Sequence, residues 1–336
     1  VNRVTVVGAG AIGGFVAARL LDAGLDVTVI EANEDHAAAM RANGLRVTGT
    51  VELHVRPRVL LPREVDEQLS TVLVAVKARH TADALATIAP QLAVDGCIVS
   101  LQNGLEEYRI AAAVGAARTV GAALTFGGHY DRPGQIVYAG PGSLHVGELD
   151  GKHTGRIEEL AELLSLAHPA EVTDRIFGVL WGKTALGAFY FATALVDADV
   201  LETLDRPEHL PVLGQLVAEV ARVAAAEGFD LEPLDGFDPG AFVRGDEPAV
   251  AASWDSQRRY WRGLDARRTG VWRDLNLHRR PTELREILGP VLERARRNGV
   301  LVPLLDRLHA LVEEAESGRL FAGYEALALL SDWLDD

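Results

Sequence analysis

The stretch Val4-Thr5-Val6-Val7-Gly8-Ala9-Gly10-Ala11-Ile12-Gly13 decides how the chain reads. Val4 to Val7 is a short β-rich run that ends in glycines, and from Ile12 to Leu21 apolar residues recur at helical spacing until Asp22-Ala23-Gly24 closes the pattern. Between them stands G-x-G-x-x-G. Alone this motif is a weak signal; placed after a strand and opening a helix it is a strong one. The first glycine permits a tight turn, the second lets a pyrophosphate approach the backbone, and the third lets the helix pack on the strand. The helix N-terminus adds unpaired N–H groups and a partial positive charge. Gly8, Gly10, Ala11, Ile12 and Gly13 are therefore candidate cofactor-binding residues.

A second strand, 27–30, is followed by Glu31, at the offset of roughly 20 residues where a carboxylate meets the adenosine ribose hydroxyls of a dinucleotide. A carboxylate there repels a 2′-phosphate, and Ala32 and Asn33 offer no positive partner for one, so NAD(H) is expected over NADP(H). Further buried strands at 72–76 and 97–101, separated by a helix over about 81–92, predict a parallel sheet with crossover helices. Strands at 120–124, 135–138 and 143–146 follow, joined by Gly and Pro turns. From about residue 154 the pattern is helical, with helices predicted at 156–166, 175–196, 210–227, 282–297 and 303–316. The segment 229–248, rich in Asp, Gly and Pro, reads as an irregular loop. The expected fold is α/β: a Rossmann-type domain over residues 1–170, then an all-helical domain over residues 171–336.

Composition narrows the function. With 48 acidic against 33 basic residues and a net charge of -15, nucleic acids and anionic membranes are poor partners. The apolar stretch from Val4 to Leu21 is interrupted by four glycines and by Arg19, which argues against a membrane span, and no targeting segment is read ahead of it. A single cysteine, Cys97, allows no internal disulfide, reads as strand packing and fits a cytoplasmic protein. The ten histidines show no metal-ligand spacing, so no metal is expected. Only three of the 33 basic residues are lysines: Lys77, Lys152 and Lys183. Arginine effectively never releases its proton, so the few lysines are the places to look for proton chemistry.

Several segments together resemble the ketopantoate reductase family, whose helical half is 6-phosphogluconate-dehydrogenase-like. They are Gly8 to Gly13, Val76-Lys77-Ala78, Gln102-Asn103-Gly104, Gly147-Glu148, Trp181-Gly182-Lys183 and Pro281-Thr282-Glu283. The resemblance implies reduction of a small 2-oxo acid or related ketone, with Lys183 as the catalytic general acid and Glu283 binding the substrate's polar end. It further implies that Asn103 lies near the nicotinamide ribose and Lys77 near the entrance for cofactor and substrate, and a homodimer is expected. Reducing a carbonyl builds negative charge on oxygen, which an ammonium both stabilises and protonates.

The departures point away from ketopantoate. Where the family's helix carries asparagines four and eight residues after the lysine, this chain has Gly187 and Phe191. Arg285 and Leu288 replace an acid and an amide after Glu283, and 270–274 lacks a serine. The floor of the substrate pocket is thus expected to be small and apolar, and Leu186, Phe189, Tyr190 and Phe191 suggest a more hydrophobic substrate. An imine or opine-type reductase and a non-catalytic nucleotide-dependent sensor are the alternatives. Arg258, Arg259, Arg262, Arg267, Arg268, Arg273, Arg279 and Arg280 read as a solvated or salt-bridged helix face, with attraction of an anionic substrate or the cofactor as the alternative, and Lys152 as a turn residue.

Overall fold

The computed structural model describes residues 3–264 and 267–331. The chain divides into two compact units, the first ending at Ile176 and the second beginning at Phe177. Unit 1 contains strands β1 Val4–Val7, β2 Val27–Ile30, β3 Leu45–Gly49, β4 Leu53–Val55, β5 Arg58–Leu60, β6 Leu69–Val74, β7 Leu92–Ser100, β8 Thr119–Leu124, β9 Gly128–Arg132, β10 Gln135–Tyr138, β11 Leu144–Glu148 and β12 Glu171–Val172. Its helices are α1 Ala11–Asp22, α2 Glu34–Asn43, α3 Thr81–Ile88, α4 Glu107–Val114 and α5 Gly155–Ser165.

The large sheet has the order β12-β11-β8-β7-β6-β1-β2-β5 and is parallel except where β11 runs against β8. All four residues of β1 are buried, as a strand covered on both faces requires, which is why its sequence is a continuous apolar and threonine run instead of an alternation. From β1 the chain first adds β2 and β5 on one side, then returns to build β6 and β7 on the other. The order therefore reverses between β1 and β6, the place in such sheets where ligands bind beyond the strands' C-terminal ends. A second sheet, β4-β3-β10-β9, lies against α1. A Cβ on Gly14 would stand 3.0 Å from Ile136 Cδ1, and Phe15 stacks on Tyr138 with ring centroids 3.9 Å apart.

This second sheet was not anticipated. Its strands β3 and β4 are five and three residues long and partly exposed, too short for a periodicity to show. The strands anticipated between 118 and 148 are present, but they are shared between the two sheets.

Unit 2 is helical: α6 Ile176–Ala194 (whose first residue closes unit 1), α7 Val200–Leu204, α8 Leu210–Ala226, α9 Pro239–Arg244, α10 Glu247–Arg262, α11 Gly270–Trp272, α12 Leu284–Ile287, α13 Gly289–Asn298, α14 Pro303–Glu316 and α15 Tyr324–Ser331. Two expectations are corrected. The Asp- and Pro-rich stretch 229–248 is not wholly loop, because Asp238 caps α9 ahead of Pro239 and Asp246 caps α10 close to Pro248. Asp at the cap with Pro just inside is a helix-start signal as well as a turn signal. The single helix anticipated over 282–297 breaks at Leu288, and α13 starts afresh with Gly289-Pro290 in its first turn, where the proline has no N–H to continue the ladder from α12. Buried Glu219 of α8 accepts the N–H groups of Leu304 (3.2 Å) and Leu305 (2.8 Å), joining α8 to the start of α14. Burial raises the pKa of this carboxyl.

Candidate active site

In unit 1 the glycine loop is held on all sides but one. Gly8 has φ +89°, and a Cβ there would lie 2.7 Å from Val76 Cγ1, so the loop rests directly on the segment after β6. A Cβ on Gly13 would lie 2.0 Å from the Gly8 carbonyl oxygen and 2.9 Å from Ala75 Cβ. Gly10 differs: among the described residues nothing comes within 4 Å of a Cβ placed on it. Packing thus demands glycine at 8 and 13, whereas the space before Gly10 is open. Gly10 is the N-cap of α1 and supplies no side-chain cap, so the first N–H groups of the helix, at Ala11, Ile12 and Gly13, face that space without a helix carbonyl to bond. An open cradle lined by N–H groups fits the pyrophosphate of a dinucleotide.

Glu31 closes one side of this loop. Its carboxylate accepts the Ala9 N–H at 2.8 Å and the Asn33 N–H at 2.8 Å. The Ala9 carbonyl is taken by His36, a residue the sequence did not single out. Gly134 N–H donates to His36 Nδ1 at 2.9 Å, so the ring proton sits on Nε2, which donates to Ala9 O at 2.9 Å. The imidazole is almost fully buried and ties the glycine loop to the β9–β10 turn of the second sheet. The nearby arginines are committed elsewhere: Arg41 to Glu64 and the Val59 carbonyl, Arg63 to Glu34. Asp35 and Asp131 add their negative charge to that of Glu31 around Tyr130, and burial with these charges raises the Tyr130 pKa.

Beyond β6 and β7 the segments carrying Lys77 and Asn103 are tied together by Gln102. Its amide donates to the Val76 carbonyl at 2.9 Å and to Thr81 Oγ1 at 2.8 Å. Lys77 is half-buried and Asn103 exposed, ahead of Gly104 with φ +80°. In the sequence Gln102 is one residue of a motif; its buried bridging role needs the two strand ends side by side. Cys97 is buried in β7, and burial raises its thiol pKa, which suits packing and not nucleophilic chemistry.

In unit 2, α6 is buried almost all round. Trp181 is fully buried, and Gly178 and Gly182 let residues 230–232 lie flush on the helix, since a Cβ would stand 2.5 Å from Asp230 O and 2.7 Å from Glu232 O respectively. Of its residues only Lys183, Gly187 and Tyr190 are not buried. Their spacing of four and three places them on one face. Beside Gly187 there is open space, with nothing among the described residues within 4 Å of a Cβ. The expected pocket floor is corrected here: Phe191 is 1% exposed, and Leu186 and Phe189 are also core, so of these only Gly187 and Tyr190 belong to the open face.

Glu283 is half-buried and precedes α12. Its side chain does not cap that one-turn helix; Thr282 Oγ1 accepts the Leu284 N–H at 3.2 Å and is itself fixed by Glu316. The helix start therefore does not account for the acid at 283. Among the described residues, three of the eight arginines of the basic stretch are paired: Arg258 with Asp205 and Asp255, Arg268 with Asp197 and stacked over Trp272, and Arg280 with Asp274. Arg273 is half-buried, and burial lowers its pKa. Lys152 pairs with Asp150 at the surface.

Among the described residues no helix is long and apolar enough to cross a membrane, and no group of three His, Cys, Asp or Glu side chains could hold a metal ion. A Rossmann-type sheet with an open glycine loop, followed by a helical unit, defines a class: NAD(P)-dependent oxidoreductases acting on a ketone or its alcohol. The chain belongs to the ketopantoate reductase family. The model described as ketopantoate reductase PanE/ApbA matches residues 4–151, and that of its C-terminal part matches residues 176–316. The 2-dehydropantoate 2-reductase of Archaeoglobus fulgidus is 30% identical, over 95% of this chain and 99% of its own. That of Halobacterium salinarum is 30% identical, over 94% and 99%. Among solved structures, a ternary structure of D-mandelate dehydrogenase with NADH and anilino(oxo)acetate superposes with a TM-score of 0.82 at 22% identity, covering 94% of this chain and 99% of that one. 2-Dehydropantoate 2-reductase from Geobacter metallireducens superposes with a TM-score of 0.80 at 26% identity, covering 93% and 99%.

Proposed function

We propose that the protein reduces a 2-oxo acid more apolar than ketopantoate, taking hydride from NADH, with Lys183 as the general acid and Glu283 holding the substrate's polar end. The observation that carries this reading is the position of Lys183 on the half-buried face of a helix otherwise sealed in the core, one turn from the open space beside Gly187. A lysine kept there can stabilise the developing alkoxide and donate a proton to it. Where the family's asparagine would stand, Gly187 offers no side-chain donor or acceptor. A hydroxylated substrate would lose a partner at that point, and a site lacking a needed hydrogen bond discriminates strongly.

When bound, the nicotinamide supplies the hydride. Residues Gly8, Gly10, Ala11, Ile12 and Gly13 would hold its pyrophosphate and Glu31 its adenosine ribose, with Lys77 and Asn103 toward the nicotinamide end. The preference for NADH rests on Glu31, on the acidic Asp35 and Asp131 nearby, and on the commitment of Arg41 and Arg63 to other partners. The NADH of the mandelate dehydrogenase structure is in keeping with it. A homodimer in the cytoplasm completes the proposal. The test is steady-state turnover of a panel of 2-oxo acids, ketones and imines with each cofactor. We expect 2-oxo acids with apolar side chains and NADH to give the highest kcat/KM; preference for ketopantoate or for imines would overturn the reading.

A further inference from the structure

We propose that Gly187 and Tyr190 form the subsite for the substrate's side chain and select a flat aryl group, with Gln257 and Trp261 as positioning residues that hold the Tyr190 ring. The inference rests on the reading of Lys183 as the partner of the substrate's carbonyl oxygen. At a rise of 1.5 Å per residue, Gly187 lies about 6 Å and Tyr190 about 10.5 Å along α6 from Lys183. A 2-oxo acid whose carbonyl is held at Lys183 can extend its side chain along this same face. Helical side chains lean toward the N-terminus, so the Tyr190 ring is directed over the turn that contains Gly187. The open space beside Gly187 thus has backbone as its floor and an aromatic ring toward one end.

The ring is held in place from behind. Tyr190 Oη donates to Gln257 Oε1 at 2.7 Å and accepts from Trp261 Nε1–H at 3.2 Å. Gln257 and Trp261 are both buried, so the hydroxyl end of this half-buried residue points into the unit and is spent there. Trp261 meets the ring edge-on, with centroids 5.6 Å apart and planes at 88°, and Phe189 packs beside it at 4.5 Å. Burial also holds the phenol well above its ordinary pKa, so the proton stays on oxygen and stays committed to Gln257. Tyr190 therefore presents a slot with apolar ring surface and no spare donor. Such a surface suits the face or edge of another ring, whereas a polar side chain entering the slot would leave its own groups unpaired.

The test compares two probe pairs on the NADH-loaded enzyme. Turnover is measured as kcat/KM for phenylglyoxylate and pyruvate. Binding is measured by calorimetry for anilino(oxo)acetate and oxamate, which need no catalysis. We expect the wild-type enzyme to favour the aryl member of each pair by at least tenfold. Gly187→Leu, which fills the slot, should lower both ratios by about tenfold or more, chiefly through KM. Gly187→Ala, which adds one carbon in open space on a helix and carries no folding risk, should lower them severalfold. Gln257→Leu should lower the aryl ratio, and Gln257→Glu, which keeps an acceptor for the Tyr190 hydroxyl, should restore most of it; a purely structural role would move both substrates equally. Wild-type ratios near one, or ratios unmoved in both Gly187 variants, would overturn the subsite. If the aryl preference in binding is present and sensitive to Gly187 while neither acid is turned over, the subsite stands and the reductase reading fails.

Discussion

The glycine loop of unit 1 and the open face of α6 in unit 2 are built on opposite plans. In the loop nearly every group is tied down: Gly8 and Gly13 are pressed against their neighbours, the Ala9 N–H is held by Glu31 and its carbonyl by His36. Only Gly10 faces open space. On α6 it is the helix that is sealed, and three residues on one face are half-buried. The difference teaches how to read a glycine. One that packing demands, such as Gly13, reports on the fold. A half-buried one that packing leaves free, such as Gly10 or Gly187 beside a candidate site, reports on what must come close to it.

The comparison breaks first at Gly13. Gly13→Val would drive carbon atoms into the Gly8 carbonyl, and overpacking of this kind costs about 3 kcal/mol. For a unit of this size we expect a fall in Tm of roughly 6–12 °C, seen by calorimetry, together with loss of NADH binding. Gly10→Val should separate the two effects. Its Tm should stay close to wild type while NADH affinity, measured by fluorescence titration, falls at least tenfold, or about 1.4 kcal/mol. If both variants lose stability equally, the distinction between packed and free glycines is wrong.

Smaller effects sharpen it. His36→Ala leaves the buried Ala9 carbonyl and the Gly134 N–H without their partner, which costs about 2 kcal/mol, and should loosen NADH binding as well as lower Tm. Glu31→Gln removes the charge at the ribose while keeping an acceptor. The ratio of kcat/KM for NADPH to that for NADH should then rise by about tenfold, as expected for one like-charge repulsion near a surface; an unchanged ratio would dissociate Glu31 from cofactor choice. Lys152→Ala, at an exposed ion pair, should leave Tm and turnover at wild-type values.

What could be read from the sequence follows burial. β1, covered on both faces, spells out its state in four consecutive residues, and the glycine spacing after it needs no partner to be recognised. β3, β4 and β5 are short and partly exposed, and the sheet that holds β3 and β4 is completed only by residues far along the chain, with β10 beside β3. Asp and Pro at 238–239 and near 246–248 mark helix starts as readily as turns, so local chemistry alone could not separate the two. The positions of Lys77, Asn103, Lys183 and Glu283 came from motif resemblance. Tyr190 could not be found that way, because in an apolar run from Phe189 to Phe191 nothing local says which ring faces outward. His36 and Gln102 are likewise invisible until two distant segments meet.

The most direct test of the proposed chemistry is the Lys183→Arg enzyme, which keeps the positive charge and gives up the transferable proton. Turnover of phenylglyoxylate with NADH should be measured beside NADH affinity in the same preparation. We expect affinity for NADH within about twofold of wild type and kcat lower by about 10²-fold or more, the contribution of a positioned general acid. A kcat within a few-fold of wild type would contradict Lys183 as the proton donor.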